Sequence, residues 1–281
     1  MKYFLDTEFL EGIQKRGLFN IKKPKPTIDL ISIGIVCEDG REYYAISKGF
    51  NLKEAWNRHD LKINKHYPMG PKYVKDFWIR QNVLYPIFKE LYNKSREDKD
   101  FLRDRFFTYG QGFKYSTLKV LIDWYGIPNS QIASEIIKFT NDDVPVKTIG
   151  TTTVQLSEES QLDLKRGYTT PEFYGYYADY DWVVFCWLFG KMMDLPKGFP
   201  MYCRDLKQML DLKWALDDEM VEYLKAIQET NQQWPTSENI EDIFKVEDIK
   251  KHPDYPKQDN EHNALEDAKW NLRLYNFLNG L

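Results

Sequence analysis

The first nine residues describe a strand that can be neither left on a surface nor buried whole. Tyr3, Phe4 and Leu5 run without a break into Asp6, Thr7 and Glu8, and then Phe9. A strand turns alternate side chains to the same face, so Asp6 and Glu8 point the same way, close enough to repel. Either that end of the strand meets water, or the two carboxylates share a cation. The chain must therefore fold around a sheet whose core end is apolar and whose other end stays polar.

Further strands follow. IDLISIGIVCEDG, at 28–40, holds a β-branched strand ending at an Asp39-Gly40 turn, and REYYAISKGF, at 41–50, reads as the return strand of a hairpin. The lysine-proline run KKPKP at 22–26 reads as the loop before them. Residues 72–92 carry apolar positions at roughly helical spacing, with a break or kink expected near Tyr85 before Pro86. NKSREDKD at 93–100 reads as a charged surface segment. Helices are expected at 116–126 and 130–139, capped by Ser116 and Ser130.

After a weakly patterned stretch, residues 172–178 read as a central strand, and a helix is expected from near Asp181. VVFCWLFG at 183–190 reads as buried core, and 206–227 as a helix. HNALEDAKWNLRLYNFLN closes the chain as an amphipathic helix with Leu265, Ala268, Leu272, Tyr275 and Leu278 inward. Early strands, one late central strand and intervening helices predict an α/β layered domain. The expectation is one domain over 1–281, with an insertion at about 141–171 and an elaboration at about 228–260.

Composition narrows the function classes. Asp and Glu number 43 against 39 Lys and Arg, a net charge of −4, so no global basic field advertises a polyanionic partner. Such a partner must be met by a local patch or through metals. Cys37, Cys186 and Cys203 form neither a paired framework nor a metal-spacing motif, which reads as a reducing cytosol and a cytoplasmic protein. No stretch approaches the roughly twenty apolar residues of a membrane helix.

The opening acids have candidate partners. ADYDW places Asp181 just after the central strand, where the carboxyl ends of open-sheet strands meet ligands. HNALEDA places His262 and Asp267 around the start of the final helix. Five residues on a helix stand roughly 140° out of line, so the two need not share a face, but both can reach one cleft if His262 lies in the loop or first turn and Asp267 on the adjoining face. Each piece alone has a plain structural reading: a polar strand edge, a helix cap, a helix decoration. Their order and placement together are more specific.

Asp6-Thr7-Glu8, Tyr180-Asp181 and His262-x-x-x-x-Asp267 resemble the DEDDh 3′-5′ exonuclease superfamily, within the ribonuclease H-like fold. ISIGIV, EDGREYYA, FWIRQNVLYP, ADYDWVVFCWLFG and RDLKQ are similar to its small bacterial and phage exoribonuclease subgroup, which is related to a mycobacterial 3′-5′ exoribonuclease. The resemblance implies a central mixed sheet flanked by helices, with helical and loop insertions. It implies two divalent cations, Mg²⁺ with Mn²⁺ as substitute, held by Asp6, Glu8, Asp181 and Asp267. It makes His262 the general base, a task suited to an imidazole near neutral pH. Products would be nucleoside 5′-monophosphates released from the 3′ end of single-stranded RNA, with single-stranded DNA as the enzymatic alternative. A non-catalytic nucleic-acid-binding or structural protein on the same scaffold is the other class.

The resemblance allows a homodimer and no membrane partner. Thr7, Phe9 and Arg204 are the candidate substrate contacts, although Thr7 and Phe9 should face away from Asp6 and Glu8 in a regular strand. Lys22, Lys23 and Lys25 read as a solvated loop. Tyr174, Tyr176 and Tyr177 read as either stacking platforms or core. Trp56, Trp78, Trp182 and Trp187 read as packing, and His59, His66 and His252 as surface or local hydrogen-bonding groups.

Overall fold

The computed structural model describes residues 1–14, 25–64, 72–105, 112–140, 170–212, 250, 252–258 and 261–280. β1 (Lys2–Gln14) pairs antiparallel with β2 (Lys25–Cys37), which pairs antiparallel with β3 (Glu42–Ile46). The turn between β2 and β3 is closed by Gly40, whose φ of 91° is a left-handed conformation that glycine adopts without strain. β4 (Asp60–Asn64) and β5 (Lys72–Asp76) form a separate two-stranded sheet. β6 (Glu172–Gly175) then runs parallel to β1, and β7 (Arg204–Asp205) parallel to β6. The main sheet thus has the order β3-β2-β1-β6-β7, with the opening strand at its centre. This is the mixed α/β, ribonuclease H-like architecture expected from the sequence.

Seven helices used below are α1 (Leu52–Asn57), α2 (Tyr85–Glu97), α3 (Lys99–Arg105), α4 (Tyr115–Tyr125), α5 (Asn129–Thr140), α6 (Asp179–Leu188) and α7 (Ala264–Gly280). The period of two in β1 sorts its apolar residues between layers. Tyr3 and Leu5 are buried with Ile132 and Ile136 of α5 and Phe185 of α6. Phe4 faces Trp270 and Leu274 of α7. Farther along, Leu10 joins Ile87 and Leu91 of α2 and Leu118 and Leu121 of α4. No helix among the described residues is long and apolar enough to cross a membrane.

Several local expectations are corrected. The proposed helix at 72–92 begins instead with β5, which pairs with the unanticipated β4. Leu61 and Ile63 alternate with polar residues, a short strand signal that went unread, and in the hairpin they and Tyr73 are all exposed. The irregularity expected near Tyr85 is a π-helical turn at Arg80–Leu84, just ahead of Pro86, and the helix runs on through it to Glu97. The charged segment at 93–100 is mostly exposed, as expected; it is helical to Glu97, and Asp98 then accepts from the amides of Asp100 and Phe101.

Ser116 and Ser130 lie inside α4 and α5 rather than capping them. The amides of Gln131 and Ile132 in the first turn of α5 are met by the Pro128 carbonyl. Val183 and Trp187 are exposed on α6, against the core reading of that run, while Val184, Phe185, Cys186 and Leu188 are buried. The inward face of α7 is rotated from the expected stripe. Ala264, Asp267, Ala268, Trp270, Asn271, Leu274 and Leu278 are buried, and Leu265, Leu272 and Tyr275 only partly so. Two polar side chains take inward places because this helix faces the candidate site. The three cysteines are free thiols. The expected insertion at 141–171 lies outside the described residues except for its last two, as do Lys22, Lys23, His66, most of 228–260 and the helix at 206–227 beyond residue 212.

Candidate active site

The site exists because β6 is short. Its ladder with β1 covers Lys2↔Glu172, Tyr3↔Phe173 and Phe4↔Tyr174 and then stops. The expected strand to Ala178 ends three residues early, at Gly175. Tyr177 turns the chain with a left-handed φ of 54°, and Ala178 leads into α6, its N–H donating to Asp205 Oδ2 at 3.0 Å. Beyond Phe4, the β6-facing edge of β1 has no strand partner among the described residues.

Side chains from two helices take over the backbone groups of that edge. The Thr7 N–H donates to Asp181 Oδ1 of α6 at 2.9 Å, and the Thr7 hydroxyl donates to the same oxygen at 2.6 Å. The Leu5 carbonyl accepts from Asn271 Nδ2 of α7 at 2.9 Å. Every buried backbone group needs a partner, and here the partners are groups that line a cleft. On the other side of β1, Asp6 lies opposite Gly34 of β2. A β-carbon at Gly34 would stand 2.2 Å from the Ala264 carbonyl oxygen, so this glycine lets the first turn of α7 press onto the sheet beside Asp6.

That approach brings Asp267 to the opening pair. One carboxylate oxygen each from Asp6, Glu8 and Asp267 lies within 4.8 Å of the others. Asp181 and His262 line the same cleft. Desolvation raises all four carboxyls. Asp6 is driven well above the usual carboxylate range, first by burial and then by the charges of Asp181, Glu8 and Asp267. Burial and the charges of Asp267 and Asp181 push Glu8 up to about 8. Burial pushes Asp181 up to about 6 against the pull of its two hydrogen bonds from Thr7. Burial also raises Asp267, opposed by hydrogen bonds from Gln258 and the His262 amide.

No lysine or arginine lines the cleft among the described residues. Buried carboxylates facing one another with no lysine or arginine among them form an all-oxygen, acidic donor set that fits a hard divalent cation such as Mg²⁺ or Mn²⁺.

His262 lies in the turn ahead of α7, the placement that lets it share a cleft with Asp267. Its left-handed φ of 67° lets its N–H donate to Asp267 Oδ2 at 2.9 Å while its ring reaches the opening pair. Nδ1 is 4.0 Å from Glu8 Oε1, and Trp78 meets the imidazole edge-on at 4.8 Å between ring centroids. Asn263 caps the helix, its Oδ1 accepting from the amides of Leu265 and Glu266.

The structure gathers Asp6, Glu8, Asp181, His262 and Asp267 around one cleft, with Thr7 and Phe9 in its wall. Thr7 faces Asp181, and Phe9 packs against Tyr180 at 5.8 Å between centroids. Arg204 lies outside this lining. It is exposed on β7 and paired with Glu172 at 3.2 Å. Tyr174 is buried against Phe4, whereas Tyr176 and Tyr177 reach the cleft. Trp78, 40% exposed, touches His262 rather than the core.

Sequence reasoning missed Asn271, Gln258, Tyr180 and Trp270 as cleft residues. The one available signal for Asn271 was its place one helical turn beyond Asp267.

No family model matches the chain. Over 55 residues it is 49% identical to a 3′-5′ exoribonuclease from two strains of Mycobacterium tuberculosis, CDC 1551 / Oshkosh and H37Rv. The matched segment is 20% of this chain and 26% of the relative, so the chain spans only about a quarter of the length of the curated proteins it is similar to.

Proposed function

We propose that this chain is a metal-dependent 3′-5′ exonuclease acting on single-stranded nucleic acid, RNA in preference to DNA. The observation that carries the reading is the convergence of Asp6, Glu8 and Asp267 within 4.8 Å, in a cleft that also holds Asp181 and His262. The direction of attack and the preference for RNA rest on the similarity to the mycobacterial exoribonuclease.

Asp6, Glu8 and Asp267 would hold one divalent ion, and Asp181 with Asp6 a second. When bound, such a pair neutralises phosphate charge, activates a water and supports the leaving oxygen. The chain's own residues do the rest. His262 takes the proton of the attacking water, its ring held between Glu8 and Trp78. Asp267 fixes the His262 backbone by accepting its N–H. Thr7 holds Asp181 by two hydrogen bonds and so fixes where that carboxylate points. Tyr177 and Tyr180, both exposed at the cleft, offer rings on which bases can stack regardless of sequence. The bond from phosphorus to the 3′ oxygen breaks, and a nucleoside 5′-monophosphate leaves.

The test is degradation of matched 5′-labelled single-stranded RNA and DNA with Mg²⁺, Mn²⁺ or EDTA, beside Asp6→Asn. A ladder that shortens from the unlabelled 3′ end, is lost in EDTA and is lost in the variant supports the reading. Faster cleavage of DNA would move the substrate class. No cleavage of either strand by the folded protein in either metal would overturn the enzymatic reading in favour of a binding module.

A further inference from the structure

Asn271 is wholly buried on the inward face of α7, one turn beyond Asp267, and it lines the cleft. A buried amide in such a place needs a reason, because it displaces an apolar side chain from a helix whose other inward residues pack against the sheet. Its Nδ2 donates to the Leu5 carbonyl at 2.9 Å. That carbonyl leaves no choice of orientation, since the flipped amide would set two oxygens against each other. The consequence is an Oδ1 that is buried and without a hydrogen-bond partner in the protein. Leaving a buried acceptor unmet is costly, so the amide is retained for what its other end does.

That other end joins the two elements that carry the cation ligands. Leu5 immediately precedes Asp6 on β1, and Asn271 follows Asp267 by four residues on α7. Asp6 and Glu8 on the strand and Asp267 on the helix repel each other across the gap between those elements. The clasp from Asn271 to Leu5 spans that gap and opposes the repulsion. It also stands where a longer β6 would otherwise have paired with β1. Elsewhere along the same edge Asp181 plays the matching part for the Thr7 N–H.

Resting on the metal-dependent reading, we infer that Asn271 is a positioning residue. It holds α7 against the open edge of β1, sets the spacing of the Asp6, Glu8 and Asp267 donors, and thereby sets the affinity for the divalent ion. Its unmatched Oδ1 is a neutral acceptor in the same wall.

The experiment measures Mn²⁺ affinity directly, by calorimetry and by the electron paramagnetic resonance signal of unbound Mn²⁺, with no substrate present. Asn271→Leu keeps the branched shape and removes the amide; Asn271→Ser is the smaller alternative should the leucine variant fail to fold. Leu274→Ala, on the same helix and in the core, controls for general loosening. Supporting-shell residues of metal sites are worth about 10–100-fold in affinity, and a loss in that range is expected for the Asn271 variants, with little change for Leu274→Ala. Parental affinity in a folded Asn271 variant overturns the inference while leaving the metal reading intact. An equal loss in Leu274→Ala overturns it too, by reducing the effect to general packing. Absence of Mn²⁺ binding by the parent protein overturns the metal reading, and this inference with it.

Discussion

Gly34 lies beneath Ala264 so closely that a β-carbon on the glycine would stand 2.2 Å from the Ala264 carbonyl oxygen. The contact is backbone against backbone, with no flexible side chain to yield. It joins the strand beside Asp6 to the first turn of the helix that carries Asp267. Gly34→Ala must therefore lift α7 or bend β2. The expected loss is about 3 kcal/mol, the upper end of ordinary overpacking, with weakened divalent-ion binding. Urea unfolding and Mn²⁺ titration of the variant check both; an unchanged midpoint with unchanged affinity refutes the contact.

Thr7 donates twice to one oxygen of Asp181, and both bonds favour the ionised carboxylate. Thr7→Val preserves shape and the backbone bond but removes the hydroxyl. A buried hydrogen bond to a charged group contributes about 1.5–3 kcal/mol, and a loss of that order is expected. Asp181 should then titrate higher still, moving the acid limb of any pH–rate profile upward. Thr7→Ser, which restores the hydroxyl, should restore the profile.

His262 has a left-handed backbone, which β-carbon-bearing residues other than Asn, Asp and His seldom adopt. Asparagine is thus the substitution that removes the imidazole with least backbone strain. His262→Asn should lower kcat by about 10²–10⁴-fold, the usual contribution of a general base, while Mn²⁺ affinity stays near the parental value. Single-turnover kinetics at saturating metal separates the two effects. Equal losses of rate and affinity would argue that the ring holds the ion site together instead.

Glu8 sits near 8 in the folded protein against an ordinary 4.5, and Asp181 near 6 against 3.8. A raised acid means that the folded state binds its proton more tightly than the unfolded chain does. Its contribution to stability is full below the unfolded pKa and lost as pH rises through the folded one. In EDTA, the melting temperature should consequently fall between about pH 4.5 and about pH 8, the window set by Glu8. A divalent cation competes with those protons, so its stabilising effect should grow across the same window. Asp6→Asn should flatten the fall in EDTA and abolish most of the gain from Mn²⁺. A melting temperature that rises with pH in EDTA would falsify this account.

The first three strands of the main sheet were legible from local signatures, and Asp6, Glu8, Asp181, His262 and Asp267 stood out by their order along the chain and by resemblance rather than one by one. β1 shows alternation ending in carboxylates, β2 and β3 meet at Asp39-Gly40, and His262 precedes a strongly periodic helix. What escaped was set by tertiary contacts. Tyr176, Tyr177 and Ala178 read as strand by composition, yet Tyr177 turns left-handed and ends β6 early. The β4-β5 hairpin carries only a five-residue alternation in DLKIN, too short to outweigh the helical spacing that follows it. Asn271 fell outside the expected inward stripe of α7, because its partner is a carbonyl 266 positions away in the chain.

The early end of β6 has a consequence for self-association. A strand edge with unclaimed amides and carbonyls is a template on which another chain can add a strand. Here the centre of the sheet is opened to make room for chemistry, so the hazard lies at the heart of the molecule and not at its rim. Asp181 and Asn271 plug that edge with side chains, which satisfy it without extending it. The cleft thereby stays open while the strand edge beside it is closed to a further strand of polypeptide.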